Sequence, residues 1–342
     1  MGRTEIIKSI FNKTTSSKAI HDAILLVEDI SGDFSLDLGY GGKTIDTPVF
    51  TASVGKLFTT TCVLILKEQG KLALDDPLSK YFDSSILDRL HVSNDIDYSN
   101  QLTISNLLFQ TSGLPDWLGN GRDKEIFLND DKFLSFEEKI STIKKDKRHF
   151  VPSSRSGYSD TNFSILGKII ENITEMSLAE VCHEWIFKPL GLTKTYLPTS
   201  AEDFVTKVFY KDELLYRPNA MRAASGSGDA MTTTRELMIF IKAFFGGKLF
   251  PEANFERLAK YGKLGFLVMG GAWYGGGYVR IPLGVPEKLF MGKGELLGHS
   301  GATGAFAFYH TESELYFVGD CNQLARPDIP IALVVKLAMK LK

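Results

Sequence analysis

The chain has 342 residues, of which 44% are hydrophobic and 23% are charged, and its formal net charge is −2. This length allows two lobes, or one large domain with an insertion, and the composition is ordinary for a soluble enzyme. The nearly balanced charge gives no reason to expect a nucleic acid or an anionic membrane as partner.

The N-terminus and the cysteines bear on the cellular compartment. The first twenty residues lack the unbroken apolar core of a secretory signal, and no run approaches the roughly 20 apolar residues of a membrane span. Cys62, Cys182 and Cys321 are odd in number and far apart, which favours buried free thiols over a disulfide framework or a zinc site. We therefore expect a cytoplasmic protein.

The first part of the chain alternates like β-strands. Residues 23–42 predict a hairpin that turns at Ser31-Gly32-Asp33, and a short extended piece, TPVFTAS, leads to Ser53. A buried helix is predicted after it, ending near Gln69, where Gly70 is well placed to terminate it.

The middle and the end of the chain differ in pattern. Four helices are predicted within LTISNLLFQTSGLPDW, LSFEEKISTIKKDKR, SDTNFSILGKIIENI and SLAEVCHEWIFKPL. From about residue 233 the pattern predicts a capped helix, ELMIFIKAFF, and then strands in KLGFLVMGGAWYGGGYV, GATGAFAFYH and ELYFVGD. A last amphipathic helix, PIALVVKLAMKLK, follows.

This order of elements predicts an α+β fold. Strands near both ends, with helices between them, indicate a sheet domain built from both termini and an all-helical domain inserted in the middle. We expect a discontinuous α/β sheet domain formed by 1–75 and 233–342, and a mostly helical domain formed by 76–232.

One local pattern points to chemistry. Ser53 and Lys56 lie three residues apart, which on a helix places both side chains on one face, with Cβ atoms about 5–6 Å apart. A lysine can accept the serine proton if burial lowers its pKa, and free N–H groups at a helix start can bind an oxyanion. Ser141 and Lys144 repeat the spacing inside a highly charged stretch, where a solvated helix face is expected, so the tetrapeptide alone is a weak signal.

The surrounding motifs resemble a known superfamily. ASVGK is followed by LLFQTSGLPDW, then by SGYSDTNFS, then by LLGHSGATG. This order is similar to that of the penicillin-binding-protein-like serine hydrolases, which include class C β-lactamases, DD-peptidases and related esterases. The resemblance covers roughly residues 20–325. It implies a β-lactamase/transpeptidase-like fold, an antiparallel sheet flanked by helices, with the active site in the cleft between the two domains.

The same resemblance implies roles for individual residues. Ser53 would be the acylated nucleophile, Lys56 its base, and Tyr158 a proton shuttle to the leaving group. His299 takes the place of the lysine in the family's Lys-Thr-Gly motif, and the N–H groups of Ser53 and Ala302 would form the oxyanion hole.

The candidate substrate-binding residues are Asp160, Ser300, Gly301 and Trp117. Simpler interpretations stay open at this point. Tyr158 and His299 are each compatible with a purely structural place, Asp160 with a helix N-cap, and Trp117 with packing under the cleft instead of lining it.

Departures from the family pattern bear on the substrate. An unperturbed histidine at 299 is largely neutral near pH 7, so a substrate carboxylate would lose an ionic partner. Asp160 stands where many relatives have asparagine, and its charge would tend to hold Lys56 protonated. Both changes favour neutral esters or amides over anionic β-lactams. Gln110, at a position where histidine is expected, carries no clear meaning in the sequence.

The predicted function is that of a serine hydrolase without metal or cofactor, acting through an acyl-enzyme on a small ester or amide. Carboxylesterase activity comes first, D-amino-acid amidase or peptidase activity second, and weak β-lactamase or DD-carboxypeptidase activity third. Acyl transfer would use the same machinery. The rival from another class is a catalytically silent, penicillin-binding-like sensor module. The sequence leaves the physiological substrate and the oligomeric state open.

Overall fold

The computed structural model describes residues 2–146, 149–264, 271–283 and 292–341. Its strands are β1 Ala23–Asp29, β2 Ser35–Tyr40, β3 Pro48–Phe50, β4 Val92–Ser93, β5 Ile96–Asp97, β6 Val208–Tyr210, β7 Glu213–Leu215, β8 Met231–Thr233, β9 Gly262–Lys263, β10 Trp273–Tyr274, β11 Val279–Pro282, β12 Glu295–Ser300, β13 Ala305–His310 and β14 Leu315–Asp320. The part of the predicted strand region that falls on 265–270 lies outside the described residues.

The main sheet has eight strands, in the order β2-β1-β14-β13-β12-β11-β10-β9, and each pair of neighbours is antiparallel. The first and last parts of the chain meet near the β2 edge of this sheet, where Leu25 of β1 is paired with Gly319 of β14. The predicted first hairpin and the predicted antiparallel sheet flanked by helices are both confirmed.

The α-helices lie at α1 Arg3–Thr15, α2 Lys56–Glu68, α3 Ser84–Leu87, α4 Ile104–Leu108, α5 Arg122–Lys124, α6 Phe136–Lys144, α7 Asp160–Thr174, α8 Leu178–Cys182, α9 Pro218–Arg222, α10 Thr234–Phe245, α11 Asn254–Leu258 and α12 Asp328–Lys340. Two π-helical segments, Glu125–Asp130 and His183–Phe187, continue α5 and α8. In the described part of the chain, no helix combines the length and the apolar character needed to cross a membrane.

The sheet is covered by helices from both ends of the chain. α12 contacts β12 and β13, and α1 packs on α12, burying Ile7 and Phe11. α10 contacts β1, β13 and β14, and every residue of β14 is buried. The N-terminal helix α1 was not predicted, because only these few apolar positions mark its buried face.

α2 lies at the junction between the sheet and the middle helices. It contacts α7 and α8, and the turn that precedes it, Ala52–Gly55, contacts β12 and β13. Phe58 is fully buried, with ring centroids 5.2 Å from Phe187 and 4.4 Å from Phe240. Such aromatic packing holds α2 firmly, and with it the residues at its N-terminus.

The cysteines are buried free thiols, as predicted. Cys62 on α2 and Cys182 on α8 face each other, with their sulfur atoms 3.8 Å apart. Burial and this contact raise the pKa of the Cys182 thiol well above its ordinary value, so it stays protonated and unreactive.

Candidate active site

Ser53 lies in a tight 3₁₀ turn, Ala52–Gly55, between β3 and α2. The residue before it, Ala52, has φ +43°, a left-handed conformation that is uncommon outside glycine. The Thr51 N–H donates to the carbonyl of Ala230 at 2.9 Å, which fixes the approach of the chain. The backbone is thus held so that the partly exposed Ser53 side chain stands at the start of a buried helix.

Lys56 is completely buried and its ammonium group has three acceptors. Its Nζ lies 3.1 Å from Ser53 Oγ and 2.7 Å from the Ser227 carbonyl oxygen, and it also donates to the carboxylate of Asp160. The Ser227 carbonyl and the Asp160 carboxylate accept hydrogen bonds from Lys56 and donate none to it. In the neutral amine, the lone pair is therefore directed at the Ser53 hydroxyl, as a general base requires.

Burial decides the protonation of Lys56. Removal from water lowers its pKa, and the charges of Asp160 and Asp116 act in the opposite direction. The net direction is downward, so the neutral amine is more accessible than in a free lysine. Asp160 does raise the pKa of Lys56, as expected from the sequence, but burial lowers this pKa by more.

Tyr158 also contacts the Ser53 hydroxyl. Its hydroxyl donates to Ser53 Oγ at 2.8 Å, and its ring lies 4.9 Å from Lys56 Nζ. Burial, followed by the charge of Asp160, raises the pKa of Tyr158 well above its ordinary value. Tyr158 is consequently protonated near neutral pH, so it can donate a proton but cannot accept one in the resting enzyme.

Asp160 is the first residue of α7, and Ser159 occupies the N-cap position. Because its carboxylate binds Lys56, the alternative of a simple N-cap is wrong. The structure thus brings Ser53, Lys56, Tyr158 and Asp160 together from two helix starts.

His299 lies on β12, beside the rings of Tyr158 and Tyr274. Its ring centroid is 6.1 Å from that of Tyr158 and 5.9 Å from that of Tyr274. The Nδ1–H donates to the Ser300 carbonyl at 2.8 Å, and Nε2 has no hydrogen-bond partner in the described part of the chain. Burial and the nearby Lys56 charge lower the pKa of His299 to about 3, so it is neutral at physiological pH.

The turn after His299 packs directly on the nucleophile's backbone. A Cβ on Gly301 would lie 2.5 Å from the Thr51 carbonyl oxygen and 3.4 Å from the Ser53 nitrogen, so only glycine fits there. Ala302 is exposed, and its N–H donates to no described backbone carbonyl. Ser300 ends β12 beside them and is partly exposed.

Trp117 does not lie where a substrate-binding residue is expected. Its side chain is completely buried, and its ring lies 4.9 Å from Lys139 Nζ. Of the two alternatives, this burial agrees with packing. The neighbouring Asp116 was missed. Burial and the charge of Asp160 raise its pKa to about 7.

Gln110, to which the sequence attached no meaning, positions the Tyr158 segment. It is completely buried and has φ +58°. Its side-chain oxygen accepts from the Ser159 N–H at 2.9 Å and from the Asn162 amide, and its carbonyl accepts from the Gly157 N–H at 2.8 Å. These bonds bracket Tyr158 on both sides.

The segment SGSGD at 225–229 was also missed. The Ser227 carbonyl binds Lys56, and Gly228 has φ +149°. A Cβ on Gly228 would lie 2.2 Å from the Ala52 carbonyl oxygen and 2.9 Å from the Ser53 nitrogen. The alternation of serine and glycine before a strand was the available signal, since such close backbone approach needs glycine.

The second Ser-x-x-Lys copy behaves as expected for a solvated helix face. Ser141 on α6 is exposed, and Lys144 donates to the Ser85 carbonyl at 3.1 Å. Identical spacing thus gives a completely buried lysine in one helix and a partly exposed lysine in the other.

Comparison with known proteins agrees with this geometry. The profile of the Beta-lactamase family matches residues 31–337, nearly the whole chain. The chain belongs to the Beta-lactamase family. Among curated members, Protein flp of Staphylococcus aureus (strain COL) is 29% identical over 187 residues, 51% of this chain and 34% of that protein.

A second relative in the family is the D-alanyl-D-alanine-carboxypeptidase/endopeptidase AmpH of Escherichia coli (strain K12). It is 26% identical over 211 residues, which are 61% of this chain and 52% of AmpH. The match therefore spans about half or less of the length of these two relatives.

Several solved structures share the fold over almost the entire chain. A D-stereospecific amidohydrolase from Streptomyces sp. has a TM-score of 0.81 at 18% identity and 98% coverage of both chains. EstCE1, a hydrolase with promiscuous acyltransferase activity, has a TM-score of 0.76 at 17% identity and 98% coverage of both chains. At such identities the likeness establishes the fold.

Proposed function

We propose that this serine hydrolase cleaves small neutral esters or amides through an acyl-enzyme on Ser53, with carboxylesterase activity as its main reaction. The observation that carries the proposal is the arrangement of Lys56 Nζ and Tyr158 OH around Ser53 Oγ, at 3.1 and 2.8 Å. Lys56, whose pKa is lowered, can accept the Ser53 proton, and Tyr158, whose pKa is raised, can donate a proton to the leaving group. Together they supply both proton transfers that acylation requires.

Acylation follows from these positions. Ser53 Oγ bonds to the substrate carbonyl carbon while its proton passes to the neutral Lys56 amine. The N–H groups of Ser53 and Ala302 receive the oxyanion. The carbon–oxygen or carbon–nitrogen bond then breaks, the leaving group takes the Tyr158 proton, and the Lys56 ammonium returns a proton to Tyr158.

Deacylation uses the same groups in reverse. A water molecule gives a proton to the Lys56 amine, and its oxygen bonds to the acyl carbon. The bond to Ser53 Oγ breaks and the serine recovers the proton, so that the carboxylic acid leaves and the resting enzyme is restored.

The charges around the site support a neutral substrate. His299 is uncharged at physiological pH, and the buried Lys56 is bound to Asp160. A substrate carboxylate next to His299 would find no cation there and would face the two acidic side chains, Asp116 and Asp160. Penicillins and D-Ala-D-Ala peptides carry such a carboxylate, and simple esters do not.

A fluorophosphonate probe and two substrates test the proposal. We expect labelling that is lost in Ser53→Ala, and a higher kcat/KM for p-nitrophenyl butyrate than for nitrocefin. Absence of labelling, or equal labelling of the variant, would favour a silent sensor module. Nitrocefin as the best substrate by a wide margin would overturn the argument from His299.

Hydrolysis of D-amino-acid amides is the second candidate, favoured by Asp116. Its carboxylate shares the site with Asp160, and a free substrate ammonium would find an ionic partner there. The fold shared with the Streptomyces amidohydrolase agrees with this candidate. The test compares D- and L-phenylalanine amide. Asp116→Asn should raise KM for the D-amide and leave KM for the neutral ester unchanged.

A further inference from the structure

A cavity separate from the proposed active site lies between α6, α7 and the end of α9. Its volume is about 90 Å³, and none of Ser53, Lys56 or Tyr158 lines it. One wall is apolar and consists of Phe133, Leu134 and Phe136. The other walls include Lys139, Ser164 and Arg222. The space is large enough for a few water molecules or for one small organic molecule.

Lys139 is a buried cation that no described carboxylate contacts directly, although Asp229, Asp160 and Glu137 act on it at longer range. Only 4% of the residue is exposed, and within the described ranges it makes no hydrogen bond and no ion pair shorter than 4.0 Å. Its Nζ lies over the ring of Trp117 at 4.9 Å. Lys139 borders the cavity, and an ammonium has three donors whose removal from water is costly, so an acceptor bound in the cavity would stabilise it.

Other polar groups line the same cavity. The Ser164 hydroxyl, in a residue 6% exposed, has no partner among the described residues. Arg222 lies over the ring of Phe133 at 4.9 Å and uses one nitrogen to bind the Thr199 carbonyl. Lys168, which also borders the cavity, is paired with Glu171 at 3.1 Å, and contributes little net charge.

The charges that act on Lys139 come from three sides. Glu137 is on its own helix, Asp160 begins α7, and Asp229 follows the 225–228 segment. These carboxylates raise the pKa of Lys139, but burial outweighs them and lowers it to about 8, so the ammonium form prevails at neutral pH. Burial also raises the pKa of Asp229 to about 6.

We propose that this cavity binds a short-chain monocarboxylate, with its carboxylate on the Lys139 ammonium and its alkyl chain against Phe133, Leu134 and Phe136. A single negative charge suits a cavity bordered by both Lys139 and Arg222, and the apolar wall suits a chain of a few carbon atoms. A compact polyanion such as phosphate would bring more charge than the cavity can neutralise and would leave the apolar wall unused.

Calorimetric titration with sodium butyrate at neutral pH tests the site directly. We expect saturable binding in the millimolar range, weakened about tenfold or more in Lys139→Met. Lys144→Met, on the same helix but not among the residues that line the cavity, is the matched control and should bind like the wild type. Protein already labelled at Ser53 should also bind butyrate, which separates this site from the catalytic one.

A second variant examines the apolar wall and does not touch the cation. Phe133 is 43% exposed, so Phe133→Ala should fold normally. It should weaken butyrate binding more than acetate binding. No saturable binding to the wild type, equal binding to Lys139→Met, or tighter binding of inorganic phosphate than of butyrate would overturn the proposal.

Discussion

Lys56 Nζ lies 3.1 Å from Ser53 Oγ and at the same time donates to Asp160, a residue 104 positions away. Asp160 stabilises the ammonium form of Lys56, and burial disfavours it more strongly. The pKa of Lys56, the proposed catalytic base, is therefore set by two opposed effects. A substitution of Asp160 should shift it.

Replacement of Asp160 with asparagine should move the acid limb of the pH–activity profile. The change removes the charge that raises the pKa of Lys56, so this pKa falls further and the neutral amine persists to lower pH. We expect the acid limb of kcat/KM for a neutral ester to shift down by roughly 1 pH unit. An unchanged limb would mean that Lys56 is not the group titrating there.

Tyr158→Phe tests the proton donor. The variant loses the hydroxyl that donates to Ser53 Oγ at 2.8 Å and keeps the ring that packs beside His299. We expect kcat to fall by about 10²–10⁴-fold, because the leaving group no longer receives a proton. The loss should be smaller for p-nitrophenyl esters, whose leaving group needs no proton, than for alkyl esters. Equal losses on both would argue against this role.

His299→Lys should shift the preference toward anionic substrates. The wild-type histidine is neutral because its pKa is lowered to about 3, whereas a lysine beside the cleft would supply a cation. We expect the ratio of nitrocefin to ester turnover to rise by roughly tenfold, in line with one added charge-assisted contact. Melting temperatures of both proteins show whether the new side chain is tolerated.

Gly228→Ala should displace the nucleophile. Its Cβ would lie 2.2 Å from the Ala52 carbonyl oxygen, and its φ of +149° is unfavourable for alanine. We expect activity to fall by about 100-fold or more, since small displacements at a reacting group are costly. Gly191→Ala is the control. Its φ is +69° with open space around it, so it should lose stability and keep activity.

Lys139→Met should change how stability depends on pH. The folded-state pKa of Lys139, about 8, lies below its ordinary value of 10.5, so the unfolded chain binds the proton more tightly between these values. Wild-type stability should therefore gain roughly 2–3 kcal/mol from this group as pH rises from 8 to 10.5. Urea unfolding at both ends of this window should show that the variant lacks this gain. Identical pH dependence in the two proteins would contradict it.

Much of the fold was accessible from local patterns. Apolar alternation located the first hairpin and the strands 305–310 and 315–320, and helical periodicity located α2, α7 and α10. Periodicity reports which face of an element is buried, and these elements each have one strongly apolar face or are buried throughout. α1 was missed because its buried face is sparse.

The proposed site was only partly accessible. Ser53, Lys56, Tyr158 and His299 carried recognisable motifs, whereas Gln110, Asp116 and Ser227 act through a buried amide, a loop carboxylate and a backbone carbonyl. Groups of this kind have no characteristic spacing, and their partners are distant in the chain. Trp117 was misplaced for the same reason, because a motif does not reveal which side of a loop faces the cleft.

The sequence by itself determined the family, the antiparallel sheet flanked by helices, and a serine three residues before a lysine at the start of an apolar helix. The tertiary structure alone decided which of two such pairs is buried, since Ser141–Lys144 has the same spacing and lies at the surface. It also decided the directions of the pKa shifts of Lys56, Tyr158 and His299. These shifts depend on removal from water and on charges brought close by folding, and neither is encoded in any short segment.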